Sequence, residues 1–394
     1  MLLYYNKSSF WLLLQLHGSV FYRCDTMIGS LLIALLGILT QYLRDIESEW
    51  APSVLHHYGF QALGAGVTFA IVFRTQLAWN RYWEAVTQLH NMYSKWTDTF
   101  AQFQAFAEIS RLAAVSKGDG KKVECLQLKQ RRLKTNFAIL SMLAADRLHT
   151  GDNQLIEDIR SKWAKTRGAM RIQKEMKLFD MPHMVEWKHF DRHAPNESVY
   201  VVFEKPSREQ LELLEQSYDP VATVMYWIIW DLADAMRHID VAPPIQSRMY
   251  QELSNGMLGF NNCLKIADVP FPLPFAQLLG LLLASFSVLI PVYVVVFTGG
   301  LVGPILCFFL YACLWCLNEV AKELENPFGE DVNDIYLVDF HTNFVDILED
   351  VTKEKQKALL INPTMGLDRD IGEIDAGSDF STNLGNMEVL QEAL

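Results

Sequence analysis

Between Val269 and Asn318 the sequence has no Asp, Glu, Lys or Arg. A charge-free run of that length excludes an ordinary solvated surface and accommodates two helices of about 20 residues, the length that crosses a bilayer core. Charge is also missing from Trp50 to Phe73 and, over a shorter run, from Thr26 to Leu43. A basic excess is absent: the net charge is −12 over 394 residues. No nucleic-acid partner is expected, since that needs a basic face. Cysteine is sparse; Cys24, Cys125, Cys263, Cys307, Cys313 and Cys316 are all there are, three of them in the last apolar run. That pattern excludes a secreted disulfide framework. Cys313 and Cys316 have the spacing of a redox or zinc motif, but in an uncharged span they read as small packing residues, because zinc needs thiolates and further ligands. There is no P-loop, Gly-rich nucleotide motif or nucleophile elbow. His56, His57, His183, His189 and His193 follow no metal or triad spacing. The chain is therefore not read as an enzyme.

What is present is a pattern of four membrane spans, two near each end. Thr298-Gly299-Gly300 is a turn signal that makes the Val269–Asn318 run a helical hairpin. Between Arg74 and Asp268 charges are frequent and apolar residues recur at helical spacing. Helices are expected over Glu84–Val115, Lys121–Leu148, Gln154–Phe179, Ser207–Ile239 and Ile245–Ile266, with an irregular stretch from His183 to Lys205. Ser207 and Gln210 have the spacing of a capping box. Met1–Leu16 is apolar and aromatic without a signal-peptide cleavage site, and reads as an interfacial helix. Lys7 and Arg23 precede span one, Arg74 and Arg81 follow span two and Lys322 follows span four, whereas the loop between spans one and two carries only Arg44. The positive-inside rule then puts both termini and the middle region on the cytosolic side.

The expected fold class is all-α: four transmembrane helices plus a large cytosolic helical region. Residues 1–83 hold the interfacial helix and spans one and two, and residues 84–268 the cytosolic helical region. Residues 269–320 hold spans three and four, and residues 321–366 an acidic loop and C-terminal segment. Residues 367–394 are acidic, rich in Gly, Ser and Asn, and short of large apolar residues, which reads as a flexible tail.

Three stretches carry a resemblance. His17-Gly18-Ser19-Val20 precedes span one. Phe73-Arg74-Thr75 and Asn80-Arg81-Tyr82-Trp83-Glu84 follow span two. Glu325-Asn326-Pro327-Phe328-Gly329-Glu330-Asp331 follows span four. In this order around four spans they resemble the bestrophin family, bacterial and plant-type branches included, over about Leu16 to Asp350.

The resemblance implies a bestrophin-like homopentamer, with span two of each subunit lining a narrow hydrophobic neck. It implies an anion-selective channel for chloride, bicarbonate and other monovalent anions, in contact with membrane lipid. The neck then falls at Ala65, Phe69 and Phe73, where plain helix or lipid packing is the bland alternative. A second, cytosolic constriction falls at Ile245. Arg74 is either an interface anchor or an attractor of anions below the neck. Animal members are opened by calcium, and the matching ligands are the Asp331 and Asp334 side chains with the Glu323 and Asn326 carbonyls. The acidic run is interrupted here by Val332 and Asn333, so a solvated acidic loop stands beside the calcium reading.

The residues themselves agree with a channel. Transporters usually carry ionisable groups or broken helices near the midplane, and these spans are almost wholly apolar. Hydrophobic constrictions gate channels by dewetting. The rivals are a bicarbonate or anion carrier, and a non-conducting membrane scaffold. The host membrane is the cell membrane or a chloroplast thylakoid; the motifs lean to the thylakoid, and the missing leader leans away from it.

Overall fold

The computed structural model describes residues 19–52, 56–149, 202–204, 206–298, 300–329 and 333–353. Among these residues all regular structure is helical. A short 3-10 turn at Val20–Tyr22 precedes nine helices. They are α1 (Cys24–Asp45), α2 (Tyr58–Ser116), α3 (Gly120–His149), α4 (Arg208–Gln216), α5 (Pro220–Ala235), α6 (Pro243–Asp268), α7 (Leu273–Thr298), α8 (Val302–Glu325) and α9 (Leu337–Thr352). The chain divides into two compact units, residues 1–345 and residues 346–394. The second is described only in its first residues, the last turns of α9. The expected Gln154–Phe179 helix and the 367–394 tail lie outside the described residues.

Helices α1, α2, α7 and α8 are each long and apolar enough to cross a membrane. They pack on one another through Ile33, Val67, Ile71, Leu283, Phe286, Ile290 and Leu314. The Phe60 ring stacks on Phe286 and on Tyr293, with centroids 4.7 and 4.9 Å apart. Helix α1 turns Leu31, Leu35 and Leu39 outward, an apolar face that a bilayer covers and water would not. Its other face approaches α8 closely. A Cβ at Gly37 would stand 3.3 Å from the Pro304 backbone, a tight approach that glycine eases. The turn between α7 and α8 contains Gly300 at φ +53°, a conformation glycine adopts without strain.

Span two does not stop at the membrane. Helix α2 is 59 residues long and continuous, so the segment expected from Glu84 is its lower part and the division expected between residues 83 and 84 falls inside one helix. No Pro interrupts it from Tyr58 to Ser116, and the change from apolar to charged composition leaves its hydrogen bonding intact. At about 1.5 Å per residue it spans the bilayer core and reaches far beyond it.

Below the membrane α2 packs along α3 and α6. Gly256 and Gly259 of α6 let the axes approach. A Cβ at Gly256 would lie 2.3 Å from Trp96, and one at Gly259 would lie 2.9 Å from the Met92 backbone nitrogen. Trp96, Phe100 and Phe137 are fully buried there. Cys263 is buried too, which pushes its thiol up to about 12 and makes it an inert packing group.

The Ser207–Ile239 segment differs from expectation. The capping box at Ser207 and Gln210 is formed, but the helix ends at Gln216 and restarts at Pro220. Asp219 accepts from the Val221 and Ala222 N–H groups at 2.9 and 3.1 Å. The reason is local: a residue before proline is pushed out of the α region, and Asp-Pro is a good helix start. Helix α5 then packs on α3, where the fully buried Asp231 accepts from Lys129 and Asn136 at 3.3 and 3.0 Å. Burial opposes the Lys129 charge, but its hydrogen bonds to Asp234 and Asp231 outweigh that and raise its pKa. The same hydrogen bond lowers Asp234.

Candidate functional site

Helix α2 has two faces with opposite fates. Val67, Ile71, Arg74, Ala78, Tyr82 and Ala85 recur every three or four residues and are buried. On the opposite side Ala65, Phe69, Phe73, Gln76, Asn80, Glu84 and Thr87 also recur every three or four residues and are all exposed. Phe69 is 73% exposed and Phe73 47%. Their rings lie nearly parallel with centroids 6.3 Å apart. Phe73 also meets Phe275 edge to face. The three residues expected at the neck thus share one face of a membrane span, and the chain itself leaves that face largely uncovered. Gly66, beside them, has nothing within 4 Å of where a Cβ would stand.

Arg74 departs from both expectations held for it. It is 4% exposed and points away from the Phe69 face. Its Nε and Nη2 donate to the two carboxylate oxygens of Glu325 at 2.5 and 2.9 Å, and its Nη1 donates to Asn318 Oδ1 at 2.7 Å. The guanidinium also lies 5.5 Å from the Phe271 ring centroid. Such a bidentate fork is what arginine offers a buried carboxylate. Arg74 is therefore an interhelical clamp from α2 to the end of α8. An exposed arginine would snorkel to the interface or meet ions, but the partner that prevents this, Glu325, lies about 250 residues away and was invisible to local reading.

The other motif residues have structural tasks as well. Arg81 Nη2 donates to the Ile266 and Val269 carbonyls at the end of α6, groups that a helix end leaves without intrahelical partners. Glu84 accepts from Lys265 at 3.0 Å. Just before α1, Arg23 pairs with Glu319 at 3.5 Å and Glu323 at 3.2 Å. The start of α1, the middle of α2 and the end of α8 are thus tied together by opposite charges.

The segment after α8 brings part of the expected calcium set together. Asp334 is 4% exposed. Its Oδ2 and Asn326 Nδ2 each lie 2.7 Å from where a Gly329 Cβ would stand, so both side chains close over that glycine. The Ile335 N–H donates to the Pro327 carbonyl at 2.9 Å, closing the loop. The Asn326 carbonyl accepts from the Gly329 N–H at 3.3 Å. The Glu323 carboxylate is engaged by Arg23 and by Asn333 at 2.9 Å, leaving its backbone carbonyl as the expected donor. Asp331 lies outside the described residues. Among the described residues no group of three or more His, Cys, Asp or Glu side chains is arranged to hold a metal. The buried carboxylate of Asp334 and the half-buried Asn326 beside it offer oxygen donors of the kind a hard cation takes, and the expected set also includes Asp331.

Ile245 stands in the first turn of α6, 48% exposed. Cys313 and Cys316 are free thiols within α8. Sequence reasoning missed Glu325 as the partner of Arg74, and it missed the Gln76–Asn80 pair, in which Gln76 Nε2 donates to Asn80 Oδ1 at 3.1 Å. The four-residue spacing of these amides on the Phe69 face was the available signal.

Comparison with known proteins agrees with this architecture. The chain matches the Bacterial/Fungal Bestrophin protein family over residues 3–349. Among solved structures it is similar to a point-mutant form of a bacterial bestrophin homologue from Klebsiella pneumoniae, at 15% identity and a TM-score of 0.61, covering 84% of this chain and 100% of that one. A zinc-phased structure of that homologue gives 16% identity and a TM-score of 0.59, over 82% and 97% of the two chains. No curated protein matches by sequence. The fold, with four helices long and apolar enough to span a bilayer, defines a multi-pass membrane protein. The chain belongs to the bestrophin family.

Proposed function

We propose that this protein forms a pentameric channel selective for monovalent anions, chloride and bicarbonate among them. Helix α2 of each subunit lines the pore. Ala65, Phe69 and Phe73 form the neck, and Ile245 forms a second constriction at the cytosolic end.

One observation carries this reading: Phe69 and Phe73 are exposed on the same face of a membrane-spanning helix whose opposite face is buried. The family favours a shared axis over lipid as the cover for that face. Phenyl rings present a positive edge, so rings turned edge-on to the axis favour an anion over a cation. Ala65 is smaller than the two phenylalanines, so the narrowest level is set at Phe69 and Phe73. An apolar neck of this kind holds back water and gates by dewetting. We also propose calcium as a ligand of the Asp331 and Asp334 side chains with the Glu323 and Asn326 carbonyls, supported by the buried carboxylate of Asp334 beside Asn326.

The test is anion flux through purified protein in liposomes, comparing wild type with Phe69→Ala and Phe73→Ala. Both variants are expected to change chloride permeability or its ratio to bicarbonate severalfold. A carrier would instead show stoichiometric, saturating transport. A scaffold would show none. Unchanged conductance and selectivity in both variants would remove the neck from α2.

A further inference from the structure

We infer that Gln76 and Asn80 form a collar of amide N–H donors that takes the anion as it leaves the neck. This rests on the pore reading above and adds to it the groups that replace the anion's lost water.

Both residues are exposed and lie on the Phe69 face of α2. At about 1.5 Å per residue they stand about 4.5 and 10 Å past Phe73 along the helix. Gln76 Nε2 donates to Asn80 Oδ1 at 3.1 Å, and neither side chain has another partner among the described residues. Each carboxamide has two N–H bonds. One of the four is used within the pair, so three remain to donate. The pair also keeps acceptors, since the Gln76 oxygen is not engaged by Asn80, so the collar supplies donors without itself choosing the sign of the ion. The sign of the ion is chosen by the phenyl edges of the neck above; the anion that passes them finds N–H donors here in place of water. Among the described residues of α2, no formal charge stands on this face between Phe73 and Glu84, because Arg74 is held by Glu325 on the opposite face and Arg81 donates to the Ile266 and Val269 carbonyls. Glu84, the next carboxylate down the helix, is paired with Lys265. An anion stripped of water in an apolar neck is costly unless it meets donors, and neutral donors hold it without trapping it.

The experiment is current through purified channels in planar bilayers under a chloride gradient. Asn80→Asp and Gln76→Glu keep shape and put a carboxylate on the collar. Each is expected to lower chloride conductance by about tenfold or more and to move the reversal potential toward that of the cation. Asn80→Cys covers the case in which a ring of carboxylates prevents assembly. A negatively charged methanethiosulfonate is expected to cut its current and a positively charged one to raise it. If the cysteine variant ignores both reagents while Phe69→Ala still alters selectivity, the pore reading survives and the collar is wrong. If wild type passes no anion current, the pore reading fails first and takes the collar with it.

Discussion

Arg74 offers a sharp test, because its two readings predict opposite results. The pair with Glu325 is bidentate, and the side chains are 5% and 14% exposed. Arg74→Met removes one partner and leaves a carboxylate and the Asn318 carboxamide oxygen without their donor. Breaking a buried pair in this way costs about 3–5 kcal/mol. At roughly 2–4 °C per kcal/mol for a large domain, the melting temperature should drop by about 6–20 °C. Tryptophan fluorescence of protein in lipid nanodiscs reads this directly. The double variant Arg74→Met with Glu325→Leu replaces the pair by apolar groups of similar size, and should recover most of the loss. Its reversal potential under a chloride gradient should match that of wild type, since the guanidinium lies on the face of α2 away from Phe69. A stable Arg74→Met channel that has lost anion selectivity would refute this reasoning and put Arg74 beside the ion path.

Two further outcomes follow from the packing and the acidic segment. Gly259→Ala sets a Cβ 2.9 Å from the Met92 nitrogen and 3.1 Å from the Gln88 carbonyl oxygen. These are backbone atoms that cannot swing aside, so a loss of about 1–3 kcal/mol is expected, measured by melting temperature against Gly280→Ala, whose Cβ meets nothing within 4 Å. Asp331→Ala combined with Asp334→Ala should abolish any calcium dependence of anion flux, read with buffered calcium on the cytosolic side; a wild-type channel equally open in chelator removes calcium from the account.

Much of the architecture was legible in the chain because membrane spans announce themselves. A run without charge from Val269 to Asn318 has few other places to fold, and α7 and α8 occupy it. The Ser207 capping box was legible for the same kind of reason, since both partners lie within one turn. What local pattern could not supply was continuity and long-range pairing. The shift to charged composition near Glu84 looks like a boundary, yet helix propensity runs through it and α2 continues. Asp219-Pro220 looked like part of a longer helix, because the apolar spacing on either side outweighed the restriction that proline places on its predecessor. Arg74 looked like an interface cation because Glu325 is distant in sequence. Ala65, Phe69 and Phe73 sharing an open face follows from their spacing, but which side of α2 is buried depends on α6 and α8, whose contacts no periodicity reports.

The central claim is that α2 of several copies surrounds an anion path. Single-channel recording of the purified wild-type protein in a planar bilayer, under a tenfold chloride gradient, tests it most directly. Discrete unitary currents that reverse near the chloride equilibrium potential, without any coupling ion, are the predicted result. A silent bilayer containing correctly folded protein, or currents that reverse at the cation potential, would contradict it.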